Sequence, residues 1–155
     1  MKIDLHQVPV ETGSTYPDEF KERVAGRSRQ RVGNAAGLKN FGVNLTTLQP
    51  GAQSALLHWH SAQDEFVYVV EGELVLVTEE GEQRLCAGEM AGFAAGKAIA
   101  HQLVNRSNAA ATYLEIGDRT QPDSAEYPAD DLLYKSSTSS EQRRFLHKDG
   151  RPYQE

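Results

Sequence analysis

A chain of 155 residues is the size of one ordinary domain and can bury a core without disulfides or structural metal clusters. Asp and Glu number 22 against 16 Lys and Arg, a formal charge of −6, which opposes non-specific attraction to nucleic acid or to an anionic membrane surface. The single cysteine, Cys86, excludes an intramolecular disulfide and fits a reducing, cytoplasmic setting; neither the polar start MKIDLHQVPVETG nor any later stretch offers the roughly 20 apolar residues of a membrane span.

Residues 1–39 read as an N-terminal arm. Ile3, Leu5, Val8 and Val10 are separated by polar residues, and Pro17-Asp18-Glu19 opens a short helix that runs to Glu22 or Val24 before Gly26 stops it. Residues 40–117 change texture, becoming short runs of β-branched, aromatic and Leu residues punctuated by Pro50-Gly51, Glu80-Gly81, Ala87-Gly88, Gly96 and Ser107-Asn108. The expected strands are 41–48, 54–60, 65–71, 73–78, 82–86, 90–94, 99–105 and 110–116. Strands this short and evenly spaced, with little helix between them, predict an all-β sandwich or barrel.

Residues 118–155 turn polar, with Pro122, Pro128 and the run SSTSSE, but carry apolar islands at Leu132-Leu133-Tyr134, Phe145-Leu146 and Tyr153. They read as a C-terminal arm that packs on the barrel or on a partner subunit, since free disorder is poorer in aromatics. The cluster of Arg143, Arg144, Lys148 and Arg151 is interleaved with Glu141, Asp149 and Glu155 and reads as a solvated surface. His6 and His147, both in the arms, read as ordinary surface or packing residues, and Cys86 as an inert thiol at a strand end.

The most informative stretch runs from Pro50 to Glu65. Strand periodicity puts His58 and His60 on one face, where two imidazoles can converge on one ion. The polar turn from Ser61 to Asp64 then brings Glu65 back to the same point, whereas Asp64, one residue away, points to the other face. Two imidazoles and a carboxylate with open positions suit one divalent ion, Zn, Fe, Mn or Ni, far better than Ca or Mg. With His58 and His60 inward, Leu57 and Trp59 face outward, and in the next strand Phe66, Tyr68 and Val70 oppose Glu65, Val67 and Val69. Both faces are apolar, so a second sheet, an arm or a partner subunit must cover the outer one. A homodimer is the expectation.

These residues resemble the first motif of the cupin superfamily, in which Gly, His-x-His, Glu and Gly follow at set spacings. Gly51, His58, His60, Glu65 and Gly72 fill those places. The family's second motif is similar to the stretch holding Gly88, Gly96, His101 and Asn105, with two departures: Ala94 stands where Pro is usual, and two additional residues separate Gly96 from His101. The resemblance implies a jelly-roll antiparallel β-barrel and His101 as a fourth metal ligand. The ending from Phe145 to Tyr153 resembles that of a subgroup of small single-domain bacterial cupins, some named sugar-phosphate-isomerase-like.

An octahedral ion with four protein ligands keeps two positions, which suit a small-molecule substrate with adjacent oxygens, such as an α-hydroxy ketone or a sugar. Three functions share that shell: a metal-dependent isomerase acting on a sugar or sugar phosphate, an Fe(II)-dependent dioxygenase, and a non-catalytic module that binds a small ligand or metal. Lys97 and Arg106 are the cations expected near the mouth. Asn44, Thr46, Tyr113 and Glu115 are expected to line the cavity if their strands face inward, Asn44, Tyr113 and Glu115 as contacts with substrate and Tyr113 and Glu115 also as candidates for acid or base work.

Overall fold

The structure, a computed structural model, describes residues 1–136 and 144–153. Most of the serine-rich run, with Glu141, Arg143 and Glu155 of the charged tail, lies outside the described residues. Among the described residues there are thirteen strands: β1 (Glu11–Thr12), β2 (Arg27–Gln30), β3 (Phe41–Leu48), β4 (Trp59–His60), β5 (Glu65–Glu71), β6 (Glu73–Thr78), β7 (Gly81–Cys86), β8 (Met90–Phe93), β9 (His101–Val104), β10 (Ala111–Asp118), β11 (Ser124–Tyr127), β12 (Leu132–Lys135) and β13 (Arg144–Leu146). Two short helices, α1 (Asp18–Lys21) and α2 (Val32–Ala35), complete it, α1 passing into a 3-10 turn at Glu22–Val24 as the Pro17 start and Gly26 stop require. No described helix is long and apolar enough to cross a membrane.

The fold is the expected all-β jelly roll, built as two facing layers rather than one continuously hydrogen-bonded barrel. One layer has the order β1-β2-β3-β10-β5-β8. The other consists of β7-β6-β9 and β13-β12-β11-β4, joined where His58 bridges His101. Alternation accounts for the core between them. Val67 and Val69 of β5, Leu48 of β3, Tyr113 of β10, Leu74 and Leu76 of β6 and Leu103 of β9 all point inward and are buried. Each such aliphatic side chain contributes about 1.5–3 kcal/mol by leaving water.

The segment expected as a strand over 54–60 is regular only at Trp59–His60. Upstream, its backbone is satisfied piecemeal: Ser54 N donates to Leu103 O, Leu103 N donates to the Ser54 hydroxyl rather than to a carbonyl, and the Arg27 guanidinium donates to Ser54 O. Side chains thus take over the ladder's bonds, and the chain bends around the cavity.

Both arms contribute strands. β2, whose text Arg27-Ser-Arg-Gln30 is wholly polar, pairs with β3, setting Arg29 opposite Thr46. In the other layer β11 pairs with β4, placing Ala125 opposite His60. A second core forms where the arms meet, from Tyr16, Phe20, Val24, Leu56, Tyr127 and Leu132, with Phe145 and Tyr153 packed against it. Tyr16 stands edge-on to Tyr127, and Phe20 edge-on to Tyr153. His147 stacks on Tyr153 and meets Asp131 at 2.8 Å, a packing role.

The outer face of the first layer carries apolar rows across three strands, Phe66–Ile116–Val43 and Tyr68–Leu114–Leu45. Among the described residues nothing covers its far end, where Phe66, Val70 and Met90 are exposed.

Two motif glycines separate conformational from steric demand. Gly51 and Gly72 both have φ near +80°, a region that costs an L-residue about 1–2 kcal/mol. A Cβ at Gly51 would meet nothing within 4 Å, whereas one at Gly72 would lie 3.0 Å from Ala110 O and from Ala111 Cα. Gly51→Ala should therefore cost about 1 kcal/mol and Gly72→Ala about 3 kcal/mol or more in chemical denaturation; equal losses would contradict the packing at Gly72.

Candidate metal centre and pocket

The two layers meet at one polar cluster. Glu65 opens β5 in the first layer and points inward with Val67 and Val69. His58, His60 and His101 approach it from the second layer, on either side of the junction between β9 and β4. His58 and His101 sit directly opposite each other, exchanging His58 N to His101 O at 3.3 Å and His101 N to His58 O at 2.9 Å. The two additional residues before His101 do not carry it away from the cluster.

One ligand atom from each of His58, His60 and Glu65 lies within 4.8 Å of the others. His58 Nε2 is 3.6 Å from Glu65 Oε2, and His60 Nε2 is 3.8 Å from Glu65 Oε1. Donors bonded to one ion at about 2.0–2.2 Å stand roughly 3–4 Å apart, so the set fits a divalent first-row ion. The buried Oε2 of Glu65 accepts no well-aligned hydrogen bond, an orphaned acceptor that a cation would satisfy. His101 stands beside this set: its Nε2 lies 2.8 Å from Glu65 Oε2, and its ring stacks on Phe93 with centroids 3.5 Å apart. Asp64 lies elsewhere, accepting from Ala95 N at 2.7 Å.

Electrostatics agree with that arrangement. Burial pushes the Glu65 carboxyl up, but the imidazoles of His101 and His58 outweigh it and hold it well below the usual carboxylate range. Burial pulls His101 below the ordinary imidazole value; at His58 the same effect is overcome by Glu65, and its value is raised. The cluster therefore carries an ionised carboxylate largely withdrawn from water, an environment that favours a cation.

The outward rings are held differently. His58 Nδ1 lies 2.7 Å from Leu56 O, two residues back on its own segment. His60 Nδ1 lies 2.7 Å from Asp123 Oδ2, in the C-terminal arm. His101 Nδ1 is buried with no partner. Asp123 carries no local sequence signal; the alternation of Ala125 and Tyr127 beyond it is the one cue to a strand there.

A pocket of about 270 Å³ opens beside the cluster, walled by Trp59, Phe93 and Ile99, floored by His60, Glu65 and His101, and reached by Lys97. A second, much smaller cavity of about 20 Å³, room for one water, lies behind the cluster and is lined by His58, Glu65, His101, Tyr113 and Glu115. Of the residues expected to touch substrate, Lys97 thus lines the larger pocket, and Tyr113 and Glu115 line the inner cavity. Asn44 lines neither; its amide donates to Glu115 at 3.4 Å, and Arg29 sits 3.5 Å from the same carboxylate. Burial pushes the Tyr113 phenol far above its ordinary value, with Glu115 adding to the shift, so Tyr113 is a hydrogen-bond donor and not a base at neutral pH. Trp59, expected to face outward with Leu57, instead walls the larger pocket, and Arg106, expected near the mouth, pairs with Glu82. Phe93, Ile99, Gln63 and Thr78 of the larger pocket were not singled out from the sequence.

Residues 44–117 match the family described as the cupin domain. The chain is similar to a crystal structure of a sugar phosphate isomerase from Silicibacter pomeroyi, with 45% identity over 99% of this chain and 97% of that one and a TM-score of 0.94. It is also similar to a protein from Acidithiobacillus ferrooxidans named for the same activity, with 27% identity over 79% of this chain and 77% of that one and a TM-score of 0.73. A polyketide cyclase from Streptomyces resistomycificus, 16% identical over 79% of this chain and 82% of that one with a TM-score of 0.64, shares the fold alone. No curated protein matches the sequence. Two layers meeting at a His-His-Glu cluster, the cupin-domain match and an extensive likeness at 45% identity together establish that the chain belongs to the cupin superfamily.

Proposed function

We propose that this cupin is a divalent-metal enzyme that isomerises an oxygen-rich small molecule of the sugar or sugar-phosphate class. The observation that carries the reading is the compact His58-His60-Glu65 set on the floor of a pocket of about 270 Å³ that Lys97 reaches. The near full-length relative named as a sugar phosphate isomerase supports the substrate class.

His58, His60 and Glu65 would hold the ion, with His101 completing the shell by turning its Nε2 from Glu65. When bound, a divalent ion supplies Lewis acidity toward adjacent carbonyl and hydroxyl oxygens. Trp59, Phe93 and Ile99 wall the substrate from bulk water, which strengthens each polar contact inside. Lys97 pairs with an anionic substituent at the mouth. Behind the cluster, Glu115 is the carboxylate positioned to take a proton through a water in the inner cavity, and Tyr113 the group positioned to donate a hydrogen bond. A second copy of the chain is the proposed partner, covering the apolar face that ends in Phe66, Val70 and Met90.

The metal reading is tested by titrating metal-stripped protein with Zn²⁺. His58→Ala and His60→Ala should abolish tight uptake and Asp64→Ala should leave it intact; the reverse pattern would overturn the site. For the reaction, protein loaded with Zn²⁺ or Mn²⁺ should interconvert an aldose phosphate and its ketose without dioxygen, and Lys97→Ala should raise KM about tenfold by removing a charge-assisted contact. Turnover that occurs only with iron and consumes dioxygen would replace the isomerase with an oxygenase, and tight ligand binding with no turnover would leave a binding module. Sedimentation at micromolar concentration should give twice the monomer mass, and Phe66→Asp should give the monomer; a wild-type monomer would rule out the pairing.

A further inference from the structure

The ring of His60 is held in a way that neither neighbouring histidine shares. His58 Nδ1 is tied to a carbonyl two residues away, and His101 Nδ1 has no partner. His60 Nδ1 is tied at 2.7 Å to Asp123, 63 residues further along the chain. The Asp123 side chain is wholly inaccessible to solvent. Its second oxygen accepts from Ala62 N at 2.9 Å and from the Ser61 hydroxyl at 3.4 Å. The turn that carries His60 toward Glu65 is therefore pinned by the same carboxylate.

Asp123 is itself fixed by the arm that carries it. Its N–H donates to the Ser136 hydroxyl at 3.1 Å, and Ser136 N donates to its carbonyl at 2.9 Å, closing the β11–β12 hairpin. Ser61 N donates to Ser124 O at 2.8 Å and Ser124 N to the Ser61 hydroxyl at 2.9 Å, clasping the hairpin to the β4 segment.

We infer that Asp123 is a positioning residue for the metal centre, fixing the His60 ring and its Nδ1–H tautomer, so that ion retention and docking of the β11–β12 hairpin are linked. A carboxylate accepts and does not donate, so the hydrogen resides on Nδ1 and the Nε2 lone pair is left to face Glu65 and the pocket. The binding energy of the ion is then shared with the hairpin: undocking it releases Asp123, frees the ring to rotate and weakens the site, and by reciprocity an ion at the site holds the hairpin down. This inference rests on the metal-binding reading above.

Three measurements on the full chain test it. In metal-free protein the ¹⁵N imidazole shifts of His60 should report the Nδ1–H tautomer, and Asp123→Ala should give a mixture with Nε2–H. The dissociation constant for Zn²⁺, measured against a chromophoric chelator, should rise about 10- to 100-fold in Asp123→Ala. Asp123→Asn, which keeps the side-chain volume and one acceptor, should fold as the wild type does and lose less affinity. Hydrogen exchange at Ala125 and Tyr127 should slow when Zn²⁺ binds the wild type, and slow much less in Asp123→Ala. Unchanged tautomer and affinity in both variants would overturn the role of Asp123, and slowing at Ala125 and Tyr127 as large in Asp123→Ala as in the wild type would overturn the linkage. Wild-type protein that takes up no Zn²⁺ would instead overturn the metal reading itself.

Discussion

An ionised carboxylate held between two protein layers, with only about a fifth of its side chain exposed, is the constraint around which this molecule is arranged. Glu65 comes from one layer and the three imidazoles around it from the other, so the cluster ties the faces together at the point where the cavity keeps the hydrophobic core from doing so. Stranding a charge in such a space costs several kcal/mol unless it is compensated. Compensation comes from His58 and His101 close to its oxygens, and a divalent cation would meet the acceptor that those rings leave unsatisfied. The chemistry proposed for the pocket thus grows from the same need that the fold must meet to close.

Much of this was legible because it is local. β3, β5 and β6 begin and end where alternation and turn residues place them, since a strand buried on one face writes its period into the text. His58, His60 and Glu65 could be brought together from their spacing alone, because one strand and one tight turn leave little freedom. Period, however, tells which face a side chain takes and not how deep along the strand it lies. Thr46, Tyr113 and Glu115 point inward as alternation requires, but depth puts Tyr113 and Glu115 behind the cluster rather than on the wall of the larger pocket.

What could not be read was non-local. β2 is written in charged and polar residues because it is a strand near the layer's edge whose inward Arg29 reaches the interior polar groups, leaving no apolar alternation to detect. β11, β12 and β13 are too short and too mixed to announce themselves, and gain their stability from the second core shared with Tyr16 and Phe20 of the opposite arm. Asp123 is the sharpest case. An aspartate after a proline reads as a turn, and only the folded chain shows that it grips His60.

The junction between β9 and β4 is an interrupted seam. From Gly51 to His58 the chain runs beside β9 with spaced backbone bonds at Gly51, Ala52 and Ser54 and one bond handed to the Ser54 hydroxyl, and the last direct exchange is the His58–His101 pair. A continuous ladder would have made the layer stiff and drawn the strands too close to leave a hollow. Spacing the bonds out instead lets the backbone bow, and the hollow forms where it bows. Because an imidazole stands on each lip of that gap, anything that grips both rings closes the seam like a clasp, and the width of the opening and the fit of its contents become a single variable.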